Sequence, residues 1–376
     1  MEIYHAISIL ILLCCLFELS NDNKIKYCVL LSLCITATLF GGLRWNTGND
    51  WEQYYWYFKT SQWNNIFNYI RYSSSTTSFS LEPGFVFINA LIKSVFGTFY
   101  WYNIIICGFL QFTYYKFIKH HCYNHPLFFY AAIQLLAFLY FPLRSGLAVG
   151  VCLWGFRYVK EQKLVPFLLI VLAASSIHSQ CLVFLPVYWL GKIKLNQYVY
   201  ISIYIIFFIL GNLFQSYFQN ISLLFGGEIG EKMRIYSEFE TDGVIKLSYS
   251  SFFFKLFLFW IYLNLPYRII FKSESFYYAL INIFLLSQCI DFVFKDGMGE
   301  LARIKDPFYI ASPYLFIYSL IYYLKSKKEI IRFGSLLFFT VFMVRQIVIL
   351  GSGYYFKITC IPYRTIYDYG YHLFYF

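Results

Sequence analysis

The chain has 376 residues, of which 60% are hydrophobic, 24% aromatic and only 13% charged. A soluble domain carries about a quarter charged residues, so an ordinary water-soluble enzyme is excluded and an all-α, polytopic membrane protein is predicted. A transmembrane β-barrel needs short segments alternating with period two, and the sequence has none. The formal net charge of +11 is spread over short loops with no basic face or arm. Membrane topology explains it, and nucleic acid is not an expected partner.

In chain order, apolar runs long enough to approach a bilayer crossing cover 3–19, 25–43, 100–117, 127–142, 145–160, 199–215, 251–270, 276–294, 307–324 and 333–350. Three shorter runs, 84–97, 164–176 and 179–190, suit re-entrant or interfacial helices, because irregular backbone at membrane depth must be buried or line a cavity. Together they predict about 10–13 membrane helices in one transmembrane domain spanning residues 1–376. The first run has no basic leader and no small-residue cleavage site, so it reads as a retained helix.

Lysine and arginine orient the chain. If the short runs do not cross, Lys24, Lys26, Lys116, Lys119, Arg157, Lys160, Lys192, Lys194 and the 325–332 cluster all fall on one side, the cytoplasmic one. The opposite side then holds the two main loops, 44–82 and 216–250, together with Arg144, His178, 295–306 and 351–376.

Most of the ten cysteines lie inside apolar runs, where a thiol packs as a small hydrophobe. No pair has metal-ligand spacing, and the His120, His121, Cys122, His125 group reads as a solvated loop, so neither a metal nor another cofactor is expected.

The chemistry-bearing residues gather on the outer side. Arg44, Asp50 and Glu52 follow the second span, among Trp45, Trp51, Tyr54, Tyr55, Trp56 and Tyr57. These rings are either an interfacial belt or a platform on which sugar faces stack. Glu82 precedes Pro83 and is either an N-terminal cap or part of a site. Arg144 lies between two apolar runs near Pro142 and Gly146, where a charge needs a partner or ligand. His178 sits at the tip between two half-length runs, where its titration range suits proton transfer. Glu300, Arg303, Lys305 and Asp306 precede a span that Pro307 can start and Asp306 can cap. Arg345, within the last long run, is expected to pair internally with Asp291, and Arg364 with Asp368 belongs to a terminal lid. Arg44, Arg144 and Arg303 share one side, and arginine forks match phosphate oxygens in pairs.

Taken in order, "GLRWNTGNDWEQYYWYF" (42–58), "EPGF" (82–85), "LRSGLA" (143–148), "SIHSQ" (176–180) and "RIKDPFYIASPYLF" (303–316) resemble the EpsG family of O-antigen and exopolysaccharide polymerases, of Wzy type. The family's Gly-Thr/Ser-Asp-Tyr run is here Gly48-Asn49-Asp50-Trp51, which keeps the acid and an aromatic. The resemblance implies an inner-membrane glycosyltransferase of GT-C-like architecture with its site facing the periplasm. Its donor and acceptor are undecaprenyl-pyrophosphate-linked repeat units; membrane lipids and a chain-length regulator are the further partners it implies. On this reading Arg44, Arg144 and Arg303 hold pyrophosphate, and His178 or Asp50 acts as base. Trp51, Tyr54 and Glu82 contact sugar or acceptor, and the transfer inverts the anomeric centre. The competing readings are a lipid-linked oligosaccharide flippase, which lacks support from repeated halves, and an O-antigen ligase, whose large loop comes late.

Overall fold

A computed structural model describes residues 2–48, 51–65, 81–137, 144–222, 249–271, 273–294, 303–350 and 360–367. Secondary structure among them is helical apart from one isolated bridge. The contacts divide the chain into two compact units. One contains Met1–Tyr158, Lys163–Leu182 and Phe333–Phe376, and the other Val159–Gln162 and Val183–Arg332.

In the first unit, α1 (Glu2–Cys14) runs into a 3-10 turn, Cys15–Leu19. Helix α2 (Asn23–Gly42) starts where the Asp22 carboxylate accepts a hydrogen bond from Lys24 N, 2.8 Å away, which satisfies one of the helix's open amides. Its residues Lys26, Leu30, Leu33, Ala37 and Phe40 are buried at helical spacing. On the opposite face Leu31, Ile35 and Leu39 are exposed. A helix apolar on both its packed and its open face is one that meets lipid, and α2 is long and apolar enough to cross a membrane. It packs along α5 (Phe99–His121). A Cβ on Gly42 would come within 2.7 Å of Ile104 Cα, so glycine is what permits that approach.

Helix α3 (Trp51–Thr60) lies before α4 (Pro83–Phe96). Gly97, at φ +72°, closes α4 and turns the chain into α5; its N–H donates to Lys93 O over 2.9 Å, a left-handed cap that costs glycine little. Helix α6 (Pro126–Ala137) follows, then α7 (Arg144–Glu161) and α8 (Leu164–Ile177), with a 3-10 turn over Ser179–Phe184 beyond it. The short runs at 84–97 and 164–176 are thus formed as helices of 14 residues each. Inside the bundle Tyr130 donates to Leu33 O and to Gln111 Oε1, and Gln134 also donates to that oxygen. Such shared side-chain bonds tie helices where lipid offers no hydrogen-bonding alternative.

In the second unit α9 (Val187–Leu190) and α10 (Gln197–Ser222) are followed by α11 (Tyr249–Leu263), α12 (Tyr267–Ile270), α13 (Glu274–Val293) and α14 (Ala311–Leu324). Ser273 Oγ accepts from Phe276 N and caps α13. Gly211 meets Phe292 so closely that an added Cβ would clash with backbone. Asn282 donates to Leu190 O and Ile193 O. The span expected at 251–270 is interrupted, because Pro266 cannot continue α11. The span expected from Pro307 begins instead at Ala311. Residues Arg303–Phe308 form a 3-10 turn, and it is Pro313 that falls in the first turn of α14, where its missing N–H is harmless. The last long helix, α15 (Glu329–Leu350), belongs to the first unit from Phe333 onward. Helices α2, α13 and α15 are the ones, among the described residues, long and apolar enough to cross a membrane.

Candidate functional site

Glu82, Arg144 and His178, far apart in sequence, meet in the first unit. Glu82 stands at the N-cap of α4, with φ −71° and ψ 145°, yet its side chain makes no capping hydrogen bond. The carboxylate turns away. Its Oε2 lies 3.3 Å from Arg144 Nη1, and its Oε1 lies 3.6 Å from His178 Nδ1. Ser179 also donates to Oε1, from its backbone N at 2.8 Å and from Oγ at 3.0 Å. Arg144 Nη2 is 3.4 Å from His178 Nε2, which closes the ring of contacts. All three side chains are largely buried, at 14–18% exposure.

The backbone explains why they meet. His178 is the C-cap of α8, extended at φ −150° and ψ 117°, so its ring leaves the helix axis. Helix α4 packs on α8, and a Cβ on Gly84 would lie 2.4 Å from Ser176 Oγ and 2.7 Å from Ser176 O. Only a glycine lets the start of α4 come that near the end of α8. Pro83 fixes the first turn, and Glu82 is left beside His178. Arg144 arrives at the head of α7.

Arginine donates only, so the Nε2 that faces Arg144 presents its lone pair. The neutral ring then carries its proton on Nδ1, toward the Glu82 carboxylate. The backbone N–H of Gln180, 3.4 Å from Nδ1, offers the opposite arrangement. It is the weaker influence, since a long bond from a neutral donor is outweighed by the two charges of Glu82 and Arg144. The cluster can therefore accept a proton at Nε2, support the resulting imidazolium through Glu82, and present a guanidinium to an anion.

The other predicted residues have different surroundings. Arg44 is 1% exposed. It pairs with Thr365 in an isolated antiparallel bridge, flanked by Trp45 N donating to Arg364 O and Ile366 N donating to Leu43 O. Tyr363 donates to Phe40 O, and Tyr4 donates to Cys360 O. Burial pulls the Arg44 guanidinium below its usual pKa, against the nearby Cys107, Cys360, Tyr363 and Tyr4. Trp51 is buried, stacked on Tyr55 at 5.3 Å with Phe99 edge-on and Trp45 beside it. Tyr54 is half-buried with its ring against Phe85, while Trp56 is exposed. Arg303 belongs to the second unit. Asp50, Pro142, Glu300 and Asp368 lie outside the described residues.

Asp291 is engaged by Lys255, 3.5 Å away, and by Lys305, both lysines of its own unit. One expectation is corrected. The histidine loop is not simply solvated. His121 and Cys122 are buried, and His125 Nδ1 lies 3.6 Å from Glu18 Oε2. Glu18 itself, missed in the sequence, is buried against Lys26 at 3.4 Å and accepts from Leu127 N at the start of α6. Its only sequence signal is a lone acid inside the first apolar run. Among the described residues no group of histidine, cysteine and acid residues could hold a metal.

A chain that is helical among its described residues apart from one bridge, with lipid-type helix faces, is a membrane protein, and it carries a buried acid–arginine–histidine cluster. Comparison with known families narrows this: residues 27–365 match the EpsG family, and the chain belongs to it. The family points to a function of polysaccharide-polymerase type. No curated protein and no solved structure matches the chain.

Proposed function

We propose that this chain is a membrane glycosyltransferase that joins undecaprenyl-pyrophosphate-linked oligosaccharide repeat units at the periplasmic face of the bacterial inner membrane. The observation that carries the proposal is the Glu82, Arg144, His178 cluster, which brings a candidate base and a candidate anion contact within one hydrogen-bond length. Arg144 receives the donor pyrophosphate. Its fixed charge stabilises the leaving group as negative charge grows there, an effect worth several kcal/mol in a partly dry site. His178 Nε2 takes the proton of the acceptor hydroxyl, a contribution of about 10²–10⁴-fold. A single displacement inverts the anomeric centre. Arg44, enclosed beneath the 360–367 segment, reaches an anion only when that segment lifts. Tyr54 and the exposed Trp56 face the sugar chain, and Trp51, buried and stacked on Tyr55, braces the helix that carries them.

The test is a polysaccharide gel from cells carrying Arg144→Ala or His178→Ala, with membrane insertion checked by immunoblot. Each variant is expected to abolish long chains and leave single repeat units on the cell surface. Normal ladders in either variant remove that residue from the mechanism. Loss of single units as well would mark a flippase, and loss of transfer to the core with polymer still made on its carrier would mark a ligase.

A further inference from the structure

The site holds a guanidinium beside the one ring nitrogen that must accept a proton. Arg144 Nη2 faces His178 Nε2 at 3.4 Å, so the guanidinium lies against the lone pair of the base. Arg144 is held there by Glu82 Oε2 at 3.3 Å, and the other oxygen of the same carboxylate faces His178 Nδ1 at 3.6 Å. One carboxylate thus sets both partners. Its Oε1 is itself fixed by two bonds from Ser179, so the carboxylate cannot easily follow either partner away.

We propose that Glu82 is a positioning residue that parks Arg144 against His178 until an anionic pyrophosphate draws the guanidinium off, and that then supports the imidazolium formed in the transfer. The inference rests on the reading of Arg144 and His178 given under the proposed function. It assigns to Glu82 a task other than helix capping or sugar contact. A pyrophosphate carries more charge than a carboxylate and matches the guanidinium fork in the same two-pronged way. When it arrives, Arg144 moves to it and Nε2 is left open toward the acceptor. The acceptor hydroxyl gives its proton to Nε2 as its oxygen bonds to carbon 1 of the donor sugar. The bond from carbon 1 to the pyrophosphate oxygen breaks, and its electron pair leaves with the pyrophosphate facing Arg144. The imidazolium then holds its Nδ1–H toward the Glu82 carboxylate until its extra proton passes to solvent. Coupling the base to the donor keeps His178 masked when no pyrophosphate is bound.

Glu82→Gln separates this role from a structural one. The amide oxygen still accepts from Ser179, but the charge that holds Arg144 and supports the imidazolium is gone. The assay uses the full chain in nanodiscs with lipid-linked repeat units extracted from a strain lacking this protein. The expected result is kcat lowered roughly 10²-fold, with KM for the lipid-linked unit unchanged or lower because Arg144 is released to the anion. If kcat is unchanged, or if KM rises as kcat falls, Glu82 is not the positioning residue. If the glutamine variant does not insert, Glu82→Asp replaces it, keeping the charge but withdrawing it by one carbon. The same split of a lower kcat with an unraised KM is then expected, and a full-rate or KM-raised variant overturns the proposal. An active His178→Ala enzyme refutes the underlying reading instead. Glu82→Gln at full rate beside inactive Arg144→Ala and His178→Ala enzymes refutes this inference alone.

Discussion

Glu18 and Lys26 show what a buried charge costs at a single position. Both side chains are closed off, at 2% and 8% exposure. Removing one partner strands the other, at about 3–5 kcal/mol, whereas replacing both with apolar residues is often neutral. Glu18→Ala should therefore destabilise the protein strongly in a detergent unfolding assay, because it also frees the amide of Leu127 that Glu18 satisfies. Glu18→Leu with Lys26→Met should recover much of that loss. A double variant as unstable as the single one would show that the amide contact, and not the ion pair, sets the cost. Arg44 belongs to the same argument. Among the described residues it is one of the largest fully buried side chains, and Arg44→Leu is expected to be milder than Arg44→Ala, since both lose the guanidinium but the alanine leaves the larger cavity. Equal melting temperatures for the two would show that volume is not what Arg44 supplies.

Among the elements, α4 and α8 decide where the candidate site forms. Gly84 approaches Ser176 closely, and turning the Ser176 side chain aside would not make room, since the Ser176 backbone carbonyl also lies within 2.7 Å of an added Cβ. Gly84→Val is expected to push the two helices apart and separate Glu82 from His178. Polymer length on a gel should collapse while the inserted amount stays near normal. A normal ladder from this variant would mean that the helices can part without disturbing the site. This contact also marks how far the sequence could be read. Helices were legible because apolar runs of bilayer length have few alternatives, and Pro83 opens α4 in the expected way. Arg144 and His178 stood out because charge and imidazole are costly at membrane depth. That Glu82 turns from its cap position to join them was not legible, since the local pattern Glu-Pro fits a cap equally well and the deciding contact is 97 residues away. Glu18 was hidden for the same reason: its partners Lys26 and Leu127 are set by packing, not by spacing.

At the scale of the whole molecule, membrane sidedness can be tested without knowing how many helices cross. Helix α15 is long and apolar enough to span, and it lies in sequence between the basic cluster at 325–332, which its first turn overlaps, and the exposed Tyr367. The positive-inside bias predicts that the basic cluster faces the cytoplasm. Tyr367 lies in the segment that pairs with the residues around Arg44, at the end of α2. If α15 crosses once, a cysteine at Tyr367 meets the periplasm and a cysteine at Lys327 does not. In a background with Cys14 and Cys28 replaced, because Cys28 is the exposed native thiol and Cys14 the half-buried one, Tyr367→Cys should react with a membrane-impermeant maleimide in intact spheroplasts. Lys327→Cys should react only after the membrane is opened. The reverse pattern would put the Arg44 end of the chain in the cytoplasm. Lipid-linked units displayed outside could then not reach a site on that side, and the proposed reaction would have to be abandoned along with the orientation.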